Sequence, residues 1–147
     1  MGAAGGSVPS LYVILPSDFS APALARTLLH DFLCPAEHAA DQSRQITAEK
    51  LSDAAIIASE LVTNAVVHGQ PPQSFALTVT DGYLLIEVTN RASDSPHSSQ
   101  PETDEPKVGG RGIPLIASLA DSSWQNADGQ TVISRATLAL RSGPFLP

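Results

Sequence analysis

The stretch Glu60-Leu61-Val62-Thr63-Asn64-Ala65-Val66-Val67-His68-Gly69 decides what this chain can be. It is the second half of a predicted helix. Thr47 is a plausible cap for that helix, and Glu49 stands near its positive end. Ala54, Ile57, Ala58, Leu61, Val62 and Ala65 give it a broad apolar stripe, and Gly69 with Pro71-Pro72 is expected to stop it. Glu60, Asn64 and His68 are spaced four apart. At ~100° per residue they drift only ~40° per step and share one face, ~6 Å apart in rise. A carboxylate and a carboxamide beside an apolar stripe suit a metal–phosphate group. Asn is a neutral oxygen ligand for Mg²⁺, which prefers oxygen and brings substrate phosphates with it, and Glu can accept a proton from an attacking hydroxyl. Three such residues alone are more often a solvated polar face at an ordinary helix end.

Outward from this helix the chain alternates strand and helix signals. Residues 11–15, Leu-Tyr-Val-Ile-Leu, read as a strand ended by Pro16. Ser20 offers an N-cap and Pro22 is tolerated in a first turn. Leu24, Leu28, Leu29 and Phe32 then predict an amphipathic helix from Ala21 to about Leu33. Residues 34–46 read as a loop. Residues 75–80 and 83–89 form a hairpin over Asp81-Gly82, and residues 123–127 and 130–140 a second over Asp128-Gly129, each read as a type I′ turn. Between the hairpins, residues 90–108 are rich in Ser, Pro, Asp and Glu and too long for an ordinary loop, so they read as a lid or a disordered segment. Gly109-Gly110-Arg111-Gly112 then opens a third helix, Ile113 to about Ala120, with Pro114 in its first turn and Leu115, Ile116 and Leu119 facing inward. Antiparallel hairpins with grouped helices predict an α+β fold: a two-layer α/β sandwich, its sheet mixed but mostly antiparallel, its helices on one face.

At 147 residues, with 42% apolar and 16% charged residues, the chain holds one globular domain with its own core. The expected division is a flexible tail over 1–10, the domain over 11–140 and a short tail over 141–147. A net charge of −7 argues against a nucleic-acid-binding surface. Cys34 is the single cysteine, which excludes an intrachain disulfide and suits a reducing cytoplasm. The N-terminus has no secretory pattern, and no apolar run approaches the ~20 residues of a membrane helix.

The glycines of 109–112 let backbone N–H groups approach a phosphate. The helix they open adds about half a positive charge, and Arg111 a guanidinium. No Gly-Lys-Ser/Thr follows, so this is not a Walker A loop, and no strand directly precedes it, so it is not a dinucleotide fingerprint. Together with the helix above, the motifs resemble the GHKL ATPase superfamily. Glu60 to Gly69 looks like its N box. Gly110-Arg111-Gly112-Ile113, followed by Leu115-Ile116-Ala117-Ser118-Leu119-Ala120-Asp121, resembles the second glycine box of the small anti-sigma factor serine/threonine kinases of the RsbW/SpoIIAB type. Gly129-Gln130-Thr131-Val132 resembles their C-terminal strand. The resemblance spans roughly residues 11–140.

The resemblance implies the Bergerat ATP-binding fold, with ATP and Mg²⁺ as cofactors. It makes Glu60 the general base, Asn64 the Mg²⁺ ligand and His68 a neighbour of the phosphates. Gly110, Arg111, Gly112 and Ile113 form the phosphate box, residues 90–108 the ATP lid, and Thr131 a contact to the adenine region. It implies a sigma factor and a STAS-domain anti-anti-sigma protein as partners, and a homodimer. Two positions depart from the pattern. Asn90 stands where the family carries the Asp that reads the adenine amino group, with Asp94 as the alternative acceptor, and Gln130 stands where Lys is common. Two other readings stand beside the kinase: a non-catalytic anti-sigma module of the same fold, and a stand-alone histidine-kinase ATPase domain. His30-Asp31-Phe32 resembles a phosphoacceptor box but lacks the long helical hairpin that box needs. Trp124 reads as half-buried packing at the sheet edge, Cys34 as unreactive packing, and Glu102, Asp104 and Glu105 as a solvated acidic run.

Overall fold

Period-two burial builds the sheet and period-3.6 burial lays the helices on it. The computed structural model describes residues 8–35, 46–92 and 112–140. Among them the elements are β1 (Ser10–Leu15), α1 (Ala21–Leu33), α2 (Ala48–His68), β2 (Gln70–Thr80), β3 (Tyr83–Arg91), α3 (Gly112–Leu119), β4 (Ser122–Asp128) and β5 (Thr131–Ala139). This is the predicted order. The five strands form one sheet in the order β1-β2-β3-β5-β4, and each of the described pairings is antiparallel.

In β3, Leu84, Ile86, Val88 and Asn90 are buried and the residues between them are not. That alternation puts one sheet face against the helices and leaves the other free. The helices lie side by side across the covered face: α1 over β1 at one edge, α2 over β2, β3 and β5, and α3 against α2 and β4 at the other edge. The result is the predicted two-layer sandwich. Its core joins Phe75, Leu77, Leu84, Ile86, Val88, Ala136 and Leu138 of the sheet to Ala54, Ile57, Ala58, Leu61, Val62 and Ala65 of α2. Each fully buried Leu, Ile, Val or Phe side chain contributes about 1.5–3 kcal/mol.

Local signals held unevenly. Thr47 caps α2 as expected, its side chain accepting from the Lys50 N–H at 3.1 Å. Asp81 and Gly82 both take positive φ, 56° and 82°, as a type I′ turn requires. The second turn sits one residue later than predicted. Asp128 pairs with Thr131, and Gly129 alone has positive φ, 64°, so the turn is Gly129-Gln130 with the glycine-first pattern of type II′.

Ser20 does not cap α1 with its side chain. Its hydroxyl and its N–H both donate to the Asp18 carboxylate instead. The core stripe of α1 is Ala21, Ala25, Leu29 and Leu33, and Leu24 stays partly in solvent, because small alanines let α1 lie close to α2 and β1. In α3, Ile116 is buried and Leu119 half-buried, but Leu115 is exposed, since one short helix at a sheet edge covers only a narrow stripe. Cys34 is exposed rather than packed. Trp124 lies on the edge strand β4 and is also exposed. No described helix is long and apolar enough to cross a membrane.

Candidate functional site

The two flanks of α2 face different neighbours. The Arg26 guanidinium of α1 donates to Ser59 Oγ at 2.9 Å, which marks the α1 flank. Glu60 is about 100° and Asn64 about 140° round the helix from Ser59 in the same sense. With three helices abreast, that is the flank toward α3. Both side chains are half-buried, and His68, at the end of α2, is exposed. The predicted alignment therefore exists, with Glu60 and Asn64 half-buried on the α3-facing flank of α2 and His68 in solvent.

The C-terminus of α3 is held at the Ser122 end of the sheet. The Asp121 N–H donates to the Thr137 carbonyl at 2.8 Å, and the Asp121 carboxylate accepts from the Ala139 N–H at 2.6 Å. Its N-terminus at Gly112, with the positive end of the helix dipole, is the end away from that anchor. Gly109, Gly110 and Arg111, together with Asp94 and residues 93–108 of the expected lid, lie outside the described residues, as does the side chain of Ile113.

At the opposite end of the sheet from Ser122, Asn90 is 6% exposed on the helix-covered face. Its Nδ2 donates to the Arg91 carbonyl at 2.6 Å, so the carboxamide oxygen is its remaining acceptor. Asn90 lies against Gly69, the residue that ends α2. A Cβ at Gly69 would collide with the Asn90 carboxamide and come within 2.9 Å of the Ala65 carbonyl oxygen. Gly69 has φ −110°, which any residue adopts, so glycine here provides room rather than an unusual backbone angle. The base-reading candidate is thereby locked to the helix that carries Glu60 and Asn64.

The structure does not bring Thr131 to Asn90. Asn90 pairs with Val132, and Thr131 pairs with Arg91. Ala136 and Leu138 are the buried residues of β5, so alternation puts Thr131 on the helix-free face. Gln130 instead accepts from the Arg91 guanidinium at 3.2 Å, and its carbonyl accepts from the Ala92 N–H at 2.6 Å, which ties the end of β3 to the turn. Sequence reasoning passed over Gln73. It is 2% exposed, and with Asn90 it makes up the buried polar residues among those described. Only its position two residues before Phe75, on the same side of a strand, could have signalled this.

The donors present fit a magnesium ion held mainly by phosphate. Glu60 and Asn64 offer half-buried oxygen ligands, and no described group of three or more His, Cys, Asp or Glu is arranged to hold a metal by itself.

Residues 22–135 match the family described as histidine kinase-like ATPase domain, and the chain belongs to it. No curated protein sequence matches it. Among solved structures, the RsbU and RsbW domains of Rv1364c from Mycobacterium tuberculosis share the fold. The TM-score is 0.65 at 18% identity, over 95% of this chain and 35% of that one. The chain thus spans about a third of that protein's solved length. The histidine kinase domain of the Erythrobacter litoralis EL346 blue-light activated histidine kinase aligns at TM-score 0.46 and 22% identity, over 63% of this chain and 45% of that one. The Acinetobacter baumannii histidine kinase AdeS aligns at 0.48 and 11%, over 88% and 68%.

Proposed function

We propose that this domain binds Mg-ATP between α2 and α3 and transfers its γ-phosphoryl group to a serine or threonine of a STAS-domain anti-anti-sigma protein, and that in its other state it holds a sigma factor. The observation that carries this reading is the pairing of Glu60 and Asn64 on the α3-facing flank of α2, in a chain of the ATPase family whose motifs resemble RsbW. Asn64 would hold Mg²⁺, which when bound neutralises phosphate charge. Glu60 would take the proton from the attacking hydroxyl as its oxygen bonds to the γ-phosphorus and the bond to the departing ADP oxygen breaks. His68 would stand beside the phosphates, Gly110, Arg111 and Gly112 would wrap them, and the Asn90 carboxamide oxygen would read the adenine amino group. A homodimer and a cytoplasmic setting belong to the same reading.

The test is a radiolabel transfer assay with candidate STAS proteins. Transfer with the wild type, and its loss in Glu60→Ala with ATP affinity kept, is the expected result. ATP binding without transfer to any candidate would leave the second reading, a non-catalytic anti-sigma module. Asn90 favours that module, because an amide accepts without the charge assistance of the usual carboxylate.

A further inference from the structure

Two buried polar side chains share one end of the sheet. Ser74 of β2 pairs with Thr89 of β3, and the register shifts between Ser74 and Gln70. Gln73 and Asn90 are each one residue beyond the Ser74–Thr89 rung. Both are on the helix-covered face, in line with Phe75 and Val88, which pair directly. Asn90 has committed its amide nitrogen to the Arg91 carbonyl. The Gln73 carboxamide oxygen is buried and has no hydrogen-bond partner among the described residues. An orphaned buried acceptor is costly to a fold, and that cost is recovered when a ligand supplies the missing donor. By register Gln73 stands one residue past the rung that Asn90 also follows, on the same face of the neighbouring strand. The two neighbouring strands thus bring two carboxamide side chains to one end of the helix-covered face, and the exocyclic amino group of a 6-aminopurine carries two N–H donors.

We propose that Gln73 is a specificity-determining residue of the nucleotide site, its carboxamide oxygen accepting one N–H of the 6-amino group while Asn90 accepts the other. This rests on the ATP reading above. A 6-oxopurine presents an acceptor at that position and would face two oxygens. The second neutral acceptor would compensate for the carboxylate that Asn90 lacks.

The experiment is titration calorimetry of the full chain with Mg-ATP and with Mg-ITP, which has oxygen in place of the 6-amino group. Wild type is compared with Gln73→Met, which keeps length without polarity, and with Gln73→Leu as a second apolar variant; melting curves accompany both. The wild type should prefer ATP. Each variant should lose about three- to tenfold in ATP affinity, one neutral hydrogen bond's worth, with ITP affinity unchanged or raised and a melting temperature equal or higher. An unchanged ATP/ITP ratio in either folded variant overturns the proposal, as does an equal loss for both nucleotides, which a merely structural glutamine would give. A wild type that binds neither nucleotide defeats the ATP reading itself. A wild type that binds ATP, with the ratio unmoved by substitution, defeats only the assignment of Gln73.

Discussion

Replacing Gly69 by alanine tests how the end of α2 is joined to the end of the sheet that carries Asn90. At φ −110° alanine carries no backbone penalty, so the whole effect is steric. The new methyl overlaps the Asn90 carboxamide, and the Ala65 carbonyl oxygen 2.9 Å away closes the other side. Asn90 must then move, and its 2.6 Å bond to the Arg91 carbonyl breaks. Insertion of a methyl into a packed site costs about 1–3 kcal/mol, and the lost hydrogen bond about 0.5–1.5 kcal/mol. The expected destabilisation is therefore about 2–4 kcal/mol, read from urea denaturation at unchanged slope. In an Asn90→Ala background most of the clash is gone, and Gly69→Ala should cost about 1 kcal/mol or less, a coupling of about 1–3 kcal/mol in the double-mutant cycle. A cost below about 0.5 kcal/mol in the wild-type background, or additive costs in the cycle, would refute the account of Gly69 as the space that seats Asn90.

Other perturbations read different parts of the structure. Leu61→Ala, in the core stripe of α2, should destabilise by about 2–5 kcal/mol in the same denaturation assay. Thr47→Ala removes the α2 cap and should cost about 1 kcal/mol. The Arg135–Glu87 pair on the helix-free face, 2.7 Å long with both side chains 27% exposed, should be worth about 1 kcal/mol or less and weaken with salt. The Ser20 hydroxyl, and then the Ser20 N–H, hold the Asp18 carboxyl below its ordinary 3.8. A depressed carboxyl stabilises the fold above its unfolded value, and that contribution disappears as the pH falls below 3.8 and through the folded midpoint. A carbon-detected NMR titration of Ser20→Ala should find the Asp18 midpoint raised toward 3.8 but short of it, because the backbone donor remains.

The parts of this fold that were legible in the sequence are those set by short-range rules. Two positive φ values at Asp81-Gly82 admit one kind of tight turn, and an apolar stripe from Ala54 to Ala65 admits one buried helix face. The Glu60–Asn64 flank followed from the same period. Where two local solutions compete, the sequence was less decisive. Asp128-Gly129 and Gly129-Gln130 both make hairpin turns, and the strand register selects between them. Gly69 reads as a helix stop, yet its room is required by Asn90, which is distant in sequence. Gln73 was illegible because a glutamine between two prolines and a serine reads as loop. The register shift at the start of β2 turns it into the helix layer. The face that Thr131 takes relative to Asn90 was illegible for a similar reason: a motif names neighbours along one strand, and only the pairing of β3 with β5 tells which face each takes.

Titration calorimetry of the wild type and Asn64→Ala with Mg-ATP tests the central claim most directly, because Asn64 is the α2 residue assigned to the metal–phosphate group and its half-buried amide is not part of the core. Saturable binding by the wild type, lost or reduced at least tenfold in a folded Asn64→Ala, is the predicted result. Absence of nucleotide binding by the wild type, or equal affinity in the two proteins, would contradict it.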